Sequence, residues 1–215
     1  MKTFSVILIA SLLSLMPAKA ATEQEIVNQS AHILRAFRSM PEKGIPESVL
    51  SDAKGLAILT VVKVGLGISG KGGQGVVVAR TGRGWSGPSF VGTGGAGWGL
   101  QIGAQISEFV FVLNTNEAIR AFAKDGNVTL GADVSAAAGP VGRDLQAGIT
   151  PRAAIYTYSR SKGLFAGASL EGAVIATQKT ANARYYGRPV RSNDILSGRV
   201  APPAGVRPLR AALGR

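Results

Sequence analysis

After residue 55 the chain is written as short β-branched and apolar runs divided by glycine: 56–64, 76–80, 90–91, 109–113, 128–134, 155–158 and 170–177. Runs of that composition bounded by glycine read as strands. Glycine accounts for 29 of 215 residues, about twice the usual share of roughly 7%. The glycines follow no G-X-Y period, and no long Ser or Gln tract accompanies them, which argues against collagen and against disorder. Glycine inside strand-like sequence instead marks bulges, sharp bends or close approach of two backbones. The expected fold is α+β: a single domain with a mainly antiparallel, glycine-rich twisted sheet, an N-terminal amphipathic helix and one or two short helices.

Thr22 and Glu25 have the spacing of a capping box, in which hydroxyl and carboxylate satisfy free amides at a helix start. Ile26, Ile33, Phe37 and Met40 then fall on one helical stripe, with Arg35 and Arg38 opposite it and in the last turns, before Pro41 and Gly44 end the pattern. Such a stripe suits either packing on the domain core or contact with a membrane surface. Asn114-Thr115-Asn116 caps a short helix over 117–124, and a second short helix is expected over 179–186, stopped by Gly187. From 188 to 215 six arginines and four prolines mark a basic, extended tail that wraps the domain or stays mobile.

Residues 1–20 have a basic start, a short apolar run and Ala18-Lys19-Ala20, the order of a secretory signal peptide cleaved before Ala21. The run is too short to cross a bilayer, for which about 20 apolar residues are needed. The expected location is therefore the periplasm or cell envelope, peripheral to a membrane. The absence of cysteine excludes disulfides, thiol chemistry and a Cys-linked lipid anchor. Of 24 Lys+Arg and 12 Asp+Glu, Lys2 and Lys19 leave with the leader, so the mature chain carries 22 − 12 = +10. That surplus implies acidic partners. Export and the scattered placement of the cations argue against nucleic acid.

Gly65-Leu66-Gly67-Ile68-Ser69-Gly70 matches a dinucleotide fingerprint, but the Val76-Val77-Val78 strand follows it where a phosphate-binding helix is required. The glycines at 70 and 75 have Walker spacing without the Lys-Ser/Thr pair. Ser51-x-x-Lys54 and Ser159-x-x-Lys162 lack the partner motifs of penicillin-binding enzymes. His32 is the one histidine, so neither a triad nor a multi-His metal site can be built. Asp133 and Asp144 read as turn caps or ion-pair partners in preference to an acid–base pair. The reading is of a non-enzyme with no metal or cofactor.

Several ordered blocks resemble the SYLF domain: Ala53-Lys54-Gly55-Leu56-Ala57-Ile58-Leu59, the Lys71–Gly75 glycines with Val76–Arg80, Trp85-Ser86-Gly87-Pro88-Ser89, and Gly99-Leu100-Gln101-Ile102-Gly103. Phe109–Asn114, Ala138–Arg143, Ser161–Gly167 and Tyr186-Gly187 continue the match, so that it covers roughly 23–187. The resemblance divides the chain into a leader (1–20), a SYLF-like lipid-binding domain (21–187) and the tail (188–215). It implies a phosphoinositide-type lipid-binding module, actin-binding in some eukaryotic members, here in a secreted bacterial-type version that is not expected to meet actin. The expected function is binding of anionic lipid head groups at an envelope membrane, with a structural or protein-interaction scaffold as the alternative. Lipid phosphates are met by cations and free amides. The candidate contacts are therefore Ile33, Arg35, Phe37 and Arg38 on the first helix, and Lys54, Lys71, Arg143 and Lys162 on the domain, the glycine turns at 70–75 and 139–142 supplying amides.

Overall fold

The computed structural model describes residues 21–40, 44–141, 153–163 and 173–214, with the backbone alone at 66–68, 96–102 and 162–163. The leader and Arg143 lie outside the described residues. Helix α1 (Glu23–Arg38) begins at its capping box: the Glu25 amide donates to the Thr22 hydroxyl at 3.3 Å, and the Thr22 amide donates to the Glu25 carboxylate at 2.7 Å. A short α2 (Glu47–Asp52), unforeseen in the sequence because six residues hold too little periodicity, buries Val49 and Leu50.

Strand β1 (Gly55–Thr81), the two-residue β2 (Gly84–Trp85) and β3 (Ser89–Leu113) follow. The runs expected as separate strands at 56–64 and 76–80 are the two ends of one strand, and those at 90–91 and 109–113 are the two ends of its partner. No glycine turn exists at 70–75. Those residues pair antiparallel with 91–96, Gly72 opposite Gly94 and Lys71 opposite Gly95. Ladder hydrogen bonds need no side chain, so a glycine run stays extended when another glycine run lies across from it.

What the glycines permit is a fold-back of the whole hairpin. The Arg80 amide donates to the Lys54 carbonyl at 2.7 Å, bringing the two ends of β1 together. A Cβ on Gly55 would lie 2.7 Å from the Val78 carbonyl oxygen, and one on Gly73 would lie 2.8 Å from that of Thr60. The two halves of β1 therefore run side by side, closer than any side chain at those positions would allow, and the sheet curls around the fold.

The chain continues through α3 (Asn116–Ala123), β4 (Asn127–Thr129), β5 (Ala136–Ala138), β6 (Ile155–Gly163) and β7 (Val174–Thr177). β6 pairs antiparallel with the second half of β3, while β7 pairs with its first half and with β4; β5 lies parallel to β6. Even-numbered β1 residues such as Ile58 and Val78 join the core under α1, and odd ones such as Leu59 and Val77 join a second core with Phe109 and Phe111. A sheet covered on both faces reads as continuous apolar runs, which is how its strands are written. The architecture is the expected α+β domain with a mostly antiparallel, curled sheet.

Helix α4 (Lys179–Tyr186) ends on Gly187 in the left-handed region at φ 69°. The segment beyond it is not extended. It forms α5 (Ser192–Leu196), a 3₁₀ turn (Ala204–Val206) and α6 (Arg207–Leu213). Leu209, Ala212 and Leu213 are buried in the same core as α1. The Gln24 amide donates to the Gly205 carbonyl at 2.9 Å, and the Arg38 guanidinium donates to that of Ala212 at 2.9 Å. Burial of apolar residues, not composition, decides the state of this basic segment.

Candidate binding surface

Where β1 starts and ends, three cations that lie far apart in sequence line one groove of about 290 Å³: Lys54, Arg80 and Arg120, with Asn116, Asn193 and Ser197. None of its lining residues is acidic. Lys54 is placed there because its amide donates to the Leu113 carbonyl at 2.8 Å. The Arg80 guanidinium carbon sits 4.4 Å from the centre of the Trp85 ring. Arg120 comes from α3, whose first turn is capped by the Thr115 hydroxyl. On the other side of α5 lies an open basin of about 850 Å³ lined by Lys179, Arg188, Arg191 and Arg199 together with Asp125 and Asp194. The Arg191 guanidinium, with Arg199 beside it, holds the Asp194 carboxyl below the usual range. The two depressions make this end of the molecule cationic.

The opposite end is the fold-back of the hairpin. Lys71 is exposed there, its side chain lying over Gly95. Lys162 is the backbone partner of Ile106 across β3 and β6. Between residues 53 and 107 there are five cations, Lys54, Lys63, Lys71, Arg80 and Arg83, and no Asp or Glu. The first acid after them, Glu108, is buried, ion-paired with Arg160 and accepts from the Gln29 amide at 3.3 Å. The sequence of the long hairpin thus supplies cations and no acid before Glu108.

The candidates read on α1 have separate fates. Ile33 and Phe37 are each 1% exposed, beneath the helix, with Phe37 packed 5.6 Å from the Arg160 guanidinium. The stripe is a core stripe, and neither residue is at the surface where apolar insertion would need it. The physical reason is that α1 packs its stripe on the apolar even face of β1 and β3, in one core with Ile58, Val78, Val110 and Val112. Arg35 is exposed on the outer side. Arg38 bridges Glu47 at 2.9 Å and the end of α6, so much of its hydrogen-bonding capacity is used within the fold. Lys54 and Lys71 stand at opposite ends of the sheet and do not form one site. Of the acids, Asp133 accepts from the Thr129 amide at 2.6 Å, a turn cap, and Asp144 lies outside the described residues. Arg80 and Arg120 were not singled out in the sequence, and no spacing could have joined them to Lys54, because strand pairing alone brings the three together.

The molecule is an α+β domain built on one curled hairpin, with cationic grooves at one end and a basic, glycine-rich fold-back at the other. The chain belongs to the Ysc84 family, whose model, described as Las17-binding protein actin regulator, matches residues 94–215. This agrees with the SYLF resemblance. The chain is similar to the SH3 domain-containing YSC84-like protein 1 of Bos taurus, 44% identical over 193 residues, 86% of this chain and 57% of that protein. The Homo sapiens protein of the same name is 46% identical over 184 residues, 82% of this chain and 54% of that protein. LAS seventeen-binding protein 3 of Saccharomyces cerevisiae is 47% identical over 170 residues, 77% of this chain and 37% of that protein. The chain thus spans little more than half the length of the mammalian relatives and less of the yeast one.

Proposed function

We propose that this chain is a non-enzymatic module that binds anionic phospholipid head groups at a membrane surface of the cell envelope, after export and removal of residues 1–20. The observation that carries this reading is the segregation of charge: residues 53–107 supply cations alone, and the next acid is neutralised inside the fold by Arg160. Each cation near an anionic surface is worth about 1 kcal/mol, decaying over a Debye length of about 8 Å. Cations at opposite ends of the sheet cannot face one flat membrane together. Lys63 and Lys71 would supply only about 2 kcal/mol of the roughly 8 kcal/mol that a micromolar affinity requires, so apolar contact has to add to charge.

The second reading is a protein-interaction scaffold. The family description and the names of the relatives favour a protein-binding or actin-related role, and the groove of Lys54, Arg80 and Arg120 offers cations beside the apolar Ile119 and Leu196. Cosedimentation separates the two readings. The lipid reading expects retention on vesicles of phosphatidylcholine with phosphatidylglycerol, little on phosphatidylcholine alone, and release at about 0.5 M salt. Equal binding to both vesicles refutes it, and so does binding to neither. A parallel arm with filamentous actin reads the scaffold alternative.

A further inference from the structure

Cover by α1 stops at the row where Thr60 faces Glu108, the residue that Gln29 of the helix holds. The next two rows on that face of the hairpin are Val62 opposite Ile106 and Val64 opposite Ala104. All four residues are exposed, with Val62 at 41%, Val64 at 53% and Ile106 at 48%. Among the described residues these make up three of the four exposed large hydrophobics, Val174 being the other. They form one contiguous apolar tile on a hydrogen-bonded ribbon. Lys63 lies between the two valines in sequence and Lys71 at the fold-back, both alternating to the other face of the ribbon, and the backbone of Lys162 pairs with Ile106. The nearest acid on α1, Glu25, is held by the Thr22 amide in the capping box.

We infer that this tile, Val62, Val64, Ala104 and Ile106, is the surface that enters an anionic bilayer, drawn there by the cations of the same hairpin end, Lys63 and Lys71. The inference rests on the lipid reading above and names the contact that reading lacks. Charge selects the occupant: residues 53–107 of the hairpin carry cations and no Asp or Glu, so two copies of this end repel, whereas an anionic membrane supplies the opposite charge and an apolar interior in one surface. The glycines beyond the tile leave the ribbon tip slim, with open space around Gly70 and Gly72.

The test uses purified protein that mass spectrometry shows to begin at Ala21, so that no leader contributes. Phosphatidylcholine vesicles with and without phosphatidylglycerol are titrated with wild type, with Val64→Asp/Ile106→Asp, and with the milder Val64→Ser/Ile106→Ser, each checked for an unchanged thermal midpoint. Trp98, at the backbone register opposite Ile68 near the fold-back, is the second probe, because the other tryptophan, Trp85, is buried. The aspartate pair should weaken binding to the mixed vesicles by roughly tenfold or more and the serine pair by less. Brominated lipid should quench wild-type emission but not that of Trp98→Phe. Undiminished affinity of both pairs, with Trp98 unquenched on fully bound protein, overturns the tile as the contact while leaving lipid binding in place. Failure of the wild type to bind the mixed vesicles at low salt removes both. A wild-type dimer that the aspartate pair dissociates assigns the tile to a second copy and overturns the inference.

Discussion

Gly75→Ala is expected to unsettle the fold, whereas Gly72→Ala, three residues earlier in the same strand, is expected to be tolerated. A Cβ at Gly75 would fall on the Ile58 carbonyl and 2.8 Å from the Leu59 Cα, both backbone atoms of the other half of β1. Ordinary contact begins at 3.4 Å, so the halves must part by at least about 3.4 − 2.8 = 0.6 Å at Leu59 and by more at Ile58, where no rotamer can relieve the clash. Overpacking of this kind costs about 3 kcal/mol, and lost freedom in the unfolded chain returns at most about 1 kcal/mol. The net of about 2–3 kcal/mol corresponds to a fall in thermal midpoint of roughly 5–10 °C for a domain of this size. At Gly72 nothing lies within 4 Å, so alanine should change stability by less than about 1 kcal/mol in either direction. Urea and thermal unfolding followed by circular dichroism measure both variants. Equal stability of the two, or a Gly75→Ala protein as stable as wild type, would refute the claim that the folded-back hairpin is closed by backbone contact.

Leu209→Ala should cost about 2–5 kcal/mol by urea unfolding, since Leu209 is fully buried against α1; a change below about 0.5 kcal/mol would mean that α6 is not part of the cooperative fold. Burial pushes the Tyr185 hydroxyl up to about 12 and raises those of Tyr158 and Tyr186 as well. Raised folded values mean that the associated stability is complete below the unfolded value near 10 and is lost as pH rises through the folded ones. Absorbance at about 295 nm should therefore show these tyrosines ionising together with alkaline unfolding, and smooth titration near pH 10 in folded protein would contradict their burial.

The start of α1 was legible because a capping box is local chemistry: Thr22 and Glu25 satisfy each other's amides whatever the rest of the chain does. The stop of α4 at Gly187 was legible for the same reason, since only the backbone at that residue has to turn left-handed. The two long strands were not. Gly70 to Gly75 has the composition of a turn, and what makes it strand is a second glycine run at 92–97 whose ladder bonds reach across. The tail departs from what its composition suggests for a related reason. Pro208 suggests a break, yet it sits in the first turn of α6, where a missing amide costs nothing, and Leu209, Ala212 and Leu213 form a face that is buried in the core with α1. For the binding surface, residue type was legible and grouping was not: Lys54 and Lys71 are both exposed, but register sends them to opposite ends.

That separation decides how the molecule can work at a surface. Gly55 and Val64 lie about 30 Å apart along β1 at the usual rise of about 3.3 Å per residue, so the groove of Lys54, Arg80 and Arg120 and the tile around Val64 face different surroundings. With Ile33 and Phe37 locked in the core, α1 can enter a membrane only by leaving the sheet, which would expose Val27, Leu34 and the even face of β1 at the same time. Each of those side chains is worth about 1.5–3 kcal/mol when buried, so detachment costs more than a few surface charges return. A membrane contact made by the bare end of the hairpin carries no such cost, because Val62, Val64 and Ile106 are already in water. It also turns the cationic grooves away from the bilayer, where a second, acidic partner could reach them.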